Sequence, residues 1–579
     1  MKTFNELRKN LKKDFSHLKS VKVAVLGDTS TQFLIQALRG TAFEYQFDLQ
    51  IWEADFDQIE NQVQDSNSDL YHFKPEIVIL FQSTHKLLGA FNKLPPQNYK
   101  LLAQTQMASI SSIHETLSAG LQAKIIYYNY SEMNDTVFGN YATKTESSFI
   151  FQLRQLNYEL MRFAVQTPNF YLCDLCTIQN LVGRANFFQS SVYINSEMVL
   201  SLSVLPQVAN ATLDIISALY GKSKKCLILD LDNTIWGGII GDDGIEHIQI
   251  GYLGIGKAFT EFQQWVKKLK NRGIIICVCS KNTEAIAKEP FLNHPDMVLR
   301  LEDISVFVAN WNNKVDNINS IQRILNIGFD SMVFLDDNPF ERSMVRESIP
   351  EITVPELPQD PAEYLEYLYR CNLFETISFS KEDEERTTNY QVEAERNILK
   401  QSFEKEEEFL ESLQMVSLVE SFNKFNTPRV VQLSQRSNQF NLRTVRYTEQ
   451  DVDQMIRSEA YSSFAFSLED KLGSHGLIAV VILKAENEST VFIESWFMSC
   501  RVLKRTMENF ILNTIAAAAK QKGFTCLKGE YIPTAKNEIV KDHYESLGFQ
   551  KEESMWSINT KEFTPKETFV NNKMAESYS

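Results

Sequence analysis

No apolar run in the chain approaches the ~18 residues that suggest a membrane span, and the opening stretch MKTFNELRKNLKKDF lacks the apolar core of a secretory signal. Both absences predict a cytoplasmic protein with no membrane span. Cysteine is scarce, 8 in 579 residues, which excludes a disulfide framework and predicts free thiols in a reducing compartment. Cys173 and Cys176 form a lone C-x-x-C, and without a second ligand pair they read as buried thiols rather than a zinc or redox site. Positive charge is in deficit: 58 lysines and arginines against 74 aspartates and glutamates leave −16. The chain as a whole therefore carries no electrostatic footprint for nucleic acid or an anionic membrane. Internal repeats and long low-complexity segments are also missing, which excludes fibrous and repeat architectures. What is present is globular material, 44% hydrophobic and 11% aromatic, enough to fill the cores of three or four domains at roughly 100 to 200 residues each.

From Val21 short apolar runs (VKVAVLG, PEIVILF, AKIIYYNY, NFYLCDL) alternate with helical patterns, the signature of a parallel sheet with crossover helices. A second alternation begins at CLILDLD and continues through GIIICVCS and SMVFLDD. Ser380 to Gln414 is rich in Glu and Lys, has neither proline nor glycine, and reads as a connecting helix or helix pair. Strand-like runs (LIAVVIL, STVFIESWFM), a helical stretch near Met507 to Lys520 and a last strand and helix follow, a mixed α and β pattern. The expected domains are 1–220, 221–378, a charged linker 379–415, and 416–579.

The stretch CLILDLDNTIWGGIIGDDG ends a buried strand on Asp230 and Asp232, with Thr234 just beyond. Carboxylates at i and i+2 leave a strand on one side, and at the carboxyl end of a parallel strand they lie where open α/β sheets build sites. Such a pair suits a magnesium ion, with one carboxylate attacking phosphorus and the other handling a proton. Ser280 follows the apolar IIICVC, Lys314 sits in NWNNKVDNI, and Asp336 and Asp337 follow SMVFL. In that order these residues resemble the haloacid dehalogenase (HAD) phosphotransferase superfamily. Taken alone, Lys314 would read as a surface lysine and Ser280 as a strand-end cap. The resemblance implies that Asp230 is the nucleophile and Asp232 the general acid and base. It implies that Thr234, Ser280 and Lys314, with the neighbouring Lys281 and Asn282, bind the phosphoryl group, and that Asp336 and Asp337 complete a Mg2+ site with Asp230 and the backbone carbonyl of Asp232. Only ~45 residues separate the first and second motifs and ~55 the second and fourth, which leaves no room for a large cap domain. A capless site is open, and a large substrate or a neighbouring domain must exclude its water.

The flanks Trp236-Gly237-Gly238, NWNNK and LDDNPFER, with QRSNQFNLRT (435–444), ESWFMSCRVLKR (494–505) and GEYIPTAKN (529–537), resemble the FkbH-like proteins. These join a capless HAD domain to a C-terminal GNAT-like (acetyltransferase-fold) domain. The resemblance implies a small phosphorylated substrate, 1,3-bisphosphoglycerate, and transfer of its glyceryl group to the phosphopantetheine arm of an acyl carrier protein. A plain phosphatase of the same branch is the alternative, and a scaffold with a vestigial site is a third reading. Cys500, beside Arg501 in WFMSCR, is the candidate acyl-accepting thiol; alternatively it is a buried strand cysteine. His475 reads as a turn residue between strands, with thiol activation as the other option, and Arg443, Arg501 and Lys536 are candidates for phosphate or carrier recognition. The acetyltransferase-type loop R-x-x-G-x-G/A is here Arg501-Val502-Leu503-Lys504-Arg505-Thr506. Side chains at both glycine positions hinder close approach of coenzyme A, so acetyl-CoA is not the expected donor.

VAVLGDTSTQFL, a strand, a Gly-Asp turn and a helix, resembles the opening of an SGNH-type hydrolase. That family expects Gly-Asp-Ser where this chain has Gly27-Asp28-Thr29-Ser30, and Asp174 is followed at i+3 by Thr177 where a histidine is expected. A hydroxyl without a histidine base is poorly activated, so a non-catalytic binding or assembly domain is expected. The predicted fold class is α/β: a flavodoxin-like or SGNH-type parallel sheet, a capless HAD Rossmann-like domain, and a GNAT-like α+β domain.

Overall fold

The computed structural model describes residues 2–379, 392, 396, 399, 403, 405–437, 439–499, 502–534 and 536–573. The chain forms two compact units, Met1–Ala218 and Leu219–Ser579. In the first, β1 (Lys19–Gly27), β2 (Phe47–Glu53), β3 (Ile77–Phe81), β4 (Lys124–Tyr128) and β5 (Phe170–Cys173) form a sheet of order β2-β1-β3-β4-β5. Each neighbouring pair is parallel. β3 is buried at all five positions, as a parallel strand covered on both faces must be. The flavodoxin-like order follows, because each strand returns through a helix such as Gln32–Glu44 or Phe149–Gln166.

The second unit begins with β6 (Cys226–Leu229), β7 (Ile275–Ser280), β8 (Val306–Ala309) and β9 (Met332–Leu335), parallel in the order β8-β7-β6-β9. Leu227, Leu229, Ile276, Val278, Val333 and Leu335 pack into one core. Their sequence neighbours Cys226, Ile228, Ile275, Cys277, Met332 and Phe334 pack into another. The period of two thus divides each strand between two cores, one per face.

The chain then adds β10 (Val416–Glu420), β11 (Tyr461–Asp470), β12 (Gly473–Ala485), β13 (Thr490–Met498), β14 (Cys526–Glu530), β15 (Gln550–Glu552), β16 (Met555–Asn559) and β17 (Asn571–Asn572). Among the described residues they form one mixed sheet of order β15-β16-β14-β13-β12-β11-β10-β17. β11, β12 and β13 pair antiparallel, whereas β13 and β14 pair parallel over three residues, with the helix Met507–Gln521 as their crossover. This is the α+β architecture expected of a GNAT-like domain. The expected charged linker lies largely outside the described residues, apart from the helix Glu406–Ser412.

His543 lies edge-on to Phe440 and Trp496 at centroid distances of 4.8 and 4.6 Å, with no hydrogen-bond partner for Nε2. Burial pushes its pKa down to about 3. A histidine whose folded pKa lies below its unfolded value contributes stability that is lost as pH falls through the unfolded value, because the unfolded chain takes up the proton first. His543→Phe is therefore expected to flatten the loss of stability between pH 7 and 5 by about 2 kcal/mol. Urea unfolding at the two pH values checks this, and equal slopes in variant and parent would refute it.

Candidate active site

The strand order of the central sheet reverses at β6 and β9, and open α/β sheets place their sites at such points, beyond the carboxyl ends of the strands. Leu229 pairs with Leu335, so Asp230 and Asp336 emerge side by side. The Asp230 N–H donates to the Leu335 carbonyl at 3.0 Å. One carboxylate oxygen from each of Asp230, Asp336 and Asp337 lies within 4.8 Å of the others. Asn233, in the left-handed region at φ 55°, turns the chain directly after the aspartates, a conformation asparagine tolerates better than most residues. The next side chain, Thr234, accepts from the Asp337 N–H at 3.1 Å and so joins the first and fourth motifs.

Lys314 opens the helix Lys314–Leu325, whose N-cap Asn313 accepts from the Asp316 N–H at 2.8 Å. Asn310 accepts from the Asn312 N–H at 2.9 Å and from the Asn317 side chain at 3.0 Å. The asparagines of NWNNK thus form the turn that points the lysine inward. Its ammonium is 3% exposed and lies 2.8 Å from Asp230 Oδ2 and 2.5 Å from Asp336 Oδ2. Burial disfavours the charged form, but Asp230 and Asp336 outweigh it and hold the pKa above the ordinary lysine value.

Burial first, and then Asp230, push Asp336 up to about 7, with Lys314 partly offsetting both. The same two causes raise Asp337. Three crowded carboxylate oxygens, of which those of Asp336 and Asp337 are held above their ordinary range, fit a hard divalent cation, which relieves their repulsion. Asp232 is turned differently: Oδ1 accepts from Ile240 N and Trp236 Nε1, both at 3.0 Å, and Oδ2 from Asn282 Nδ2 at 3.4 Å. Its carboxylate is outside the three-acid group, so a metal role for Asp232 is left to its backbone carbonyl. Burial, and then Asp230, raise its pKa.

Ser280 is buried at the end of β7, beside β6. Two expected phosphate binders are engaged elsewhere. Lys281 pairs with Glu341 at 2.5 Å, while Asn282 holds Asp232 and accepts from the Thr283 N–H at 2.8 Å. Glu341 lies 60 positions from Lys281, so local sequence gave no warning of the pair. Arg342 escaped the sequence reading, although it stands in LDDNPFER. Buried, it donates to the carbonyls of Asp336 and Asp337 at 2.8 and 2.7 Å and to Glu356 at 3.0 Å. It braces the loop that carries both acids, as Tyr364 does for Asn233 through a 3.2 Å bond to its carbonyl. Gly238 sits at φ 93°, and a Cβ there would lie 2.6 Å from Asp243 Oδ2, which explains the second glycine of WGG. Only the helices Ile240–Asp243 and Gly256–Asn271 fill the connection from β6 to β7, so no cap domain intervenes.

In the C-terminal half the three family-like stretches meet. Leu442 N–H donates to the Trp496 carbonyl at 3.1 Å and Ile532 N–H to the Leu442 carbonyl at 2.9 Å. Asn537 donates to the Asn441 carbonyl at 2.9 Å. Arg443 is ion-paired with Glu494 and Glu530, and Lys536 with Asp330 of the central half. His475 is not a turn residue. It is buried in β12 with Nε2 3.0 Å from Asp470, whose carboxylate also takes Arg396 at 2.7 and 2.8 Å. Burial pushes the His475 pKa down to about 4 despite that partner. Lys504 and Thr506 both sit at φ 60°, so the loop keeps a glycine-like backbone under residues with side chains. Cys500 and Arg501 lie outside the described residues.

In the N-terminal unit Asp28 accepts from the Ser83 N–H, and burial pushes its pKa up to about 7 against that bond. Thr29 is buried with its hydroxyl unpartnered, and Ser30 N–H donates to the Glu197 carbonyl at 3.1 Å. Asp174 caps the helix Leu175–Val182, and Thr177, at the position where a histidine was sought, bonds back to it at 2.6 Å. Cys173 is buried, and Cys176 donates to the Tyr130 carbonyl at 3.0 Å with its pKa pushed up by burial to about 12.

The family model described as FkbH, N-terminal domain, matches residues 22–217. The crystal structure of the N-terminal part of the protein BF1531 from Bacteroides fragilis, containing a phosphatase domain complexed with Mg, is 57% identical to this chain. The match covers 66% of this chain and 100% of that one, at a TM-score of 0.64. The Escherichia coli ribosomal-protein-S18-alanine N-acetyltransferase is 14% identical, covering 25% of this chain and 94% of its own, at a TM-score of 0.21. The Vibrio cholerae spermidine N-acetyltransferase, solved with CoA and spermine, is 12% identical over 26% and 96%, also at 0.21. No curated protein matches the chain in sequence. Among the described residues no helix is long and apolar enough to cross a membrane.

Proposed function

The chain belongs to the FkbH-like family of the HAD superfamily, and from that premise we propose that its central domain is a magnesium-dependent phosphatase acting through Asp230. The observation that carries this reading is the convergence of Asp230, Asp336 and Asp337 around the buried ammonium of Lys314. Those three carboxylates would hold Mg2+, which would supply neutralisation of phosphoryl charge. Asp230 Oδ attacks phosphorus, the P–O bond to the leaving group breaks, and Asp232 gives that oxygen its proton. The raised pKa of Asp232 suits a donor. Asp232 then takes a proton from the water that attacks phosphorus, the Asp230 Oδ–P bond breaks to release inorganic phosphate, and the cycle ends with Asp230 a carboxylate and Asp232 protonated again. Ser280, Thr234 and Lys314 would offer their donors to the phosphoryl oxygens.

The finer reading is glyceryl transfer from 1,3-bisphosphoglycerate to an acyl carrier protein. The C-terminal motifs that pack together support it. An acyl phosphate is an activated donor that a thiol accepts without a metal, whereas the second phosphate is a stable ester that needs the aspartate centre. Intact-protein mass spectrometry of the chain, Mg2+, 1,3-bisphosphoglycerate and a phosphopantetheinylated carrier tests both halves. A glyceryl-sized adduct on the carrier, lost in Cys500→Ala while phosphate release continues, is the expected outcome. Chelation is expected to stop phosphate release; steady release in excess chelator rules out the metal role. Magnesium-dependent release with no adduct would leave a plain phosphatase.

A further inference from the structure

Glu341 is buried, 6% exposed, in the first turn of the helix Pro339–Ser348 that follows β9. One carboxylate oxygen, Oε1, accepts from Lys281 Nζ at 2.5 Å, and the other, Oε2, has no hydrogen-bond partner. The phosphatase chemistry gives neither oxygen a task. A buried carboxylate oxygen without a donor costs free energy, and proteins keep such atoms where a bound group or an ordered water completes them.

The sheet fixes where this pair stands. Lys281 is the first residue past β7 and Glu341 follows β9, and in the order β8-β7-β6-β9 these two strands flank β6. Neighbouring strands lie ~4.8 Å apart, so a bridge from the end of β7 to the end of β9 spans about 10 Å and crosses the end of β6, where Asp230 stands. Electrostatics agree: burial raises the pKa of the Cys279 thiol, and Lys314, Asp230, Asp336 and Glu341 all act on it, which puts Glu341 among the charges of the carboxylate centre. Asn282, next to Lys281, donates to Asp232 Oδ2 at 3.4 Å. The bridge therefore adjoins the carboxyl that protonates the leaving group. Lys281 is the more accessible partner, its side chain 36% exposed against 8% for Glu341, and its flexible stem can swing aside for an arriving substrate while Glu341 stays fixed.

We propose that Glu341 is a specificity-determining residue of the phosphatase site, its Oε2 accepting a hydrogen bond from a hydroxyl carried by the leaving group of a phosphomonoester. The inference rests on the phosphatase reading and adds to it the residue that reads the substrate. A hydroxyl fits better than an ammonium, because Lys281 already supplies the positive charge at Oε1. A site built to pair with a hydroxyl rejects an analogue that lacks it, since the buried acceptor is then left unpaired.

Phosphate release from glycerol phosphate and from propyl phosphate, which differ only in hydroxyls, tests the assignment with the full chain and Mg2+. The parent is expected to prefer glycerol phosphate in kcat/KM by at least ~10-fold, the worth of a hydrogen bond to a charged acceptor. Glu341→Met is expected to bring that ratio to within about 2-fold of one. A general disturbance of the site lowers both rates together and leaves the ratio standing, so the ratio separates recognition from support. Glu341→Gln, whose amide carbonyl still accepts, is expected to keep part of the preference. Lys281→Met, on another segment, removes the cation that holds Glu341 in place; it is expected to lower the ratio as well, and decides the matter should thermal unfolding show Glu341→Met to be poorly folded. A parent ratio near one, or the parental ratio kept in the folded variants, overturns the proposal and leaves Oε2 to an ordered water. No phosphate from either ester overturns the phosphatase reading itself, and this inference with it.

Discussion

Replacing Asp230 by asparagine is expected to lower phosphate release by at least ~10³-fold while the chain stays folded. An amide oxygen is a poor nucleophile, and no neighbouring carboxylate takes over. Asp336 is fully buried against Lys314, and Asp232 is tied to Trp236 and Ile240. The substitution keeps the side chain's shape and removes one of the charges that raise Asp336, Asp337 and Asp232, so the metal-free fold has no reason to weaken. Phosphate release from a simple phosphomonoester, with a thermal unfolding curve as control, measures both effects. A folded variant turning over within tenfold of the parent would remove Asp230 from the role of nucleophile.

Lys314→Met is expected to produce the largest combined loss. The ammonium lies between Asp230 and Asp336, all three nearly or wholly buried. Removing one partner of such a buried group leaves uncompensated charge and costs about 3–5 kcal/mol of stability, along with ~10²-fold or more in rate from the missing phosphoryl donor. Added Mg2+ is expected to return part of the stability, since a bound cation replaces the lost positive charge. The deficit shrinks as pH falls, because Asp336, already raised to about 7, takes up a proton more readily once the lysine is gone. Urea unfolding at pH 8 and 6, with and without Mg2+, reads all of this; parental stability at pH 8 without metal would show that the ammonium does not hold the acids together.

Much of the aspartate centre was legible because its signals are local. An apolar run that ends on Asp-x-Asp-Asn-Thr places carboxylates at a strand end, and Asn313 and Asn338 cap helices that start where Lys314 and the paired acids stand. Partner choice was harder to read. Lys281 and Asn282 carry the right groups for phosphate, yet Glu341 and Asp232 engage them first. Arg342 has no local mark that sets it apart from an exposed arginine, and only its burial and its bonds to Glu356 and two carbonyls reveal the bracing role. His475, set between two glycine-bearing segments, read as a turn, but Asp470 across the hairpin draws it into the strand and the core.

The sequence by itself determined the order of elements, the three sheet-forming segments and the strand ends that carry the acids, because hydrophobic period, caps and turn residues act over a few positions. Only the tertiary structure decided which charges share a space. Asp230 meets Asp336 and Asp337 from more than a hundred positions away, and Glu341 reaches Lys281 across 60. The physical reason is that desolvation and Coulomb interaction depend on distance and burial through space, and a one-dimensional pattern specifies neither until the chain has packed.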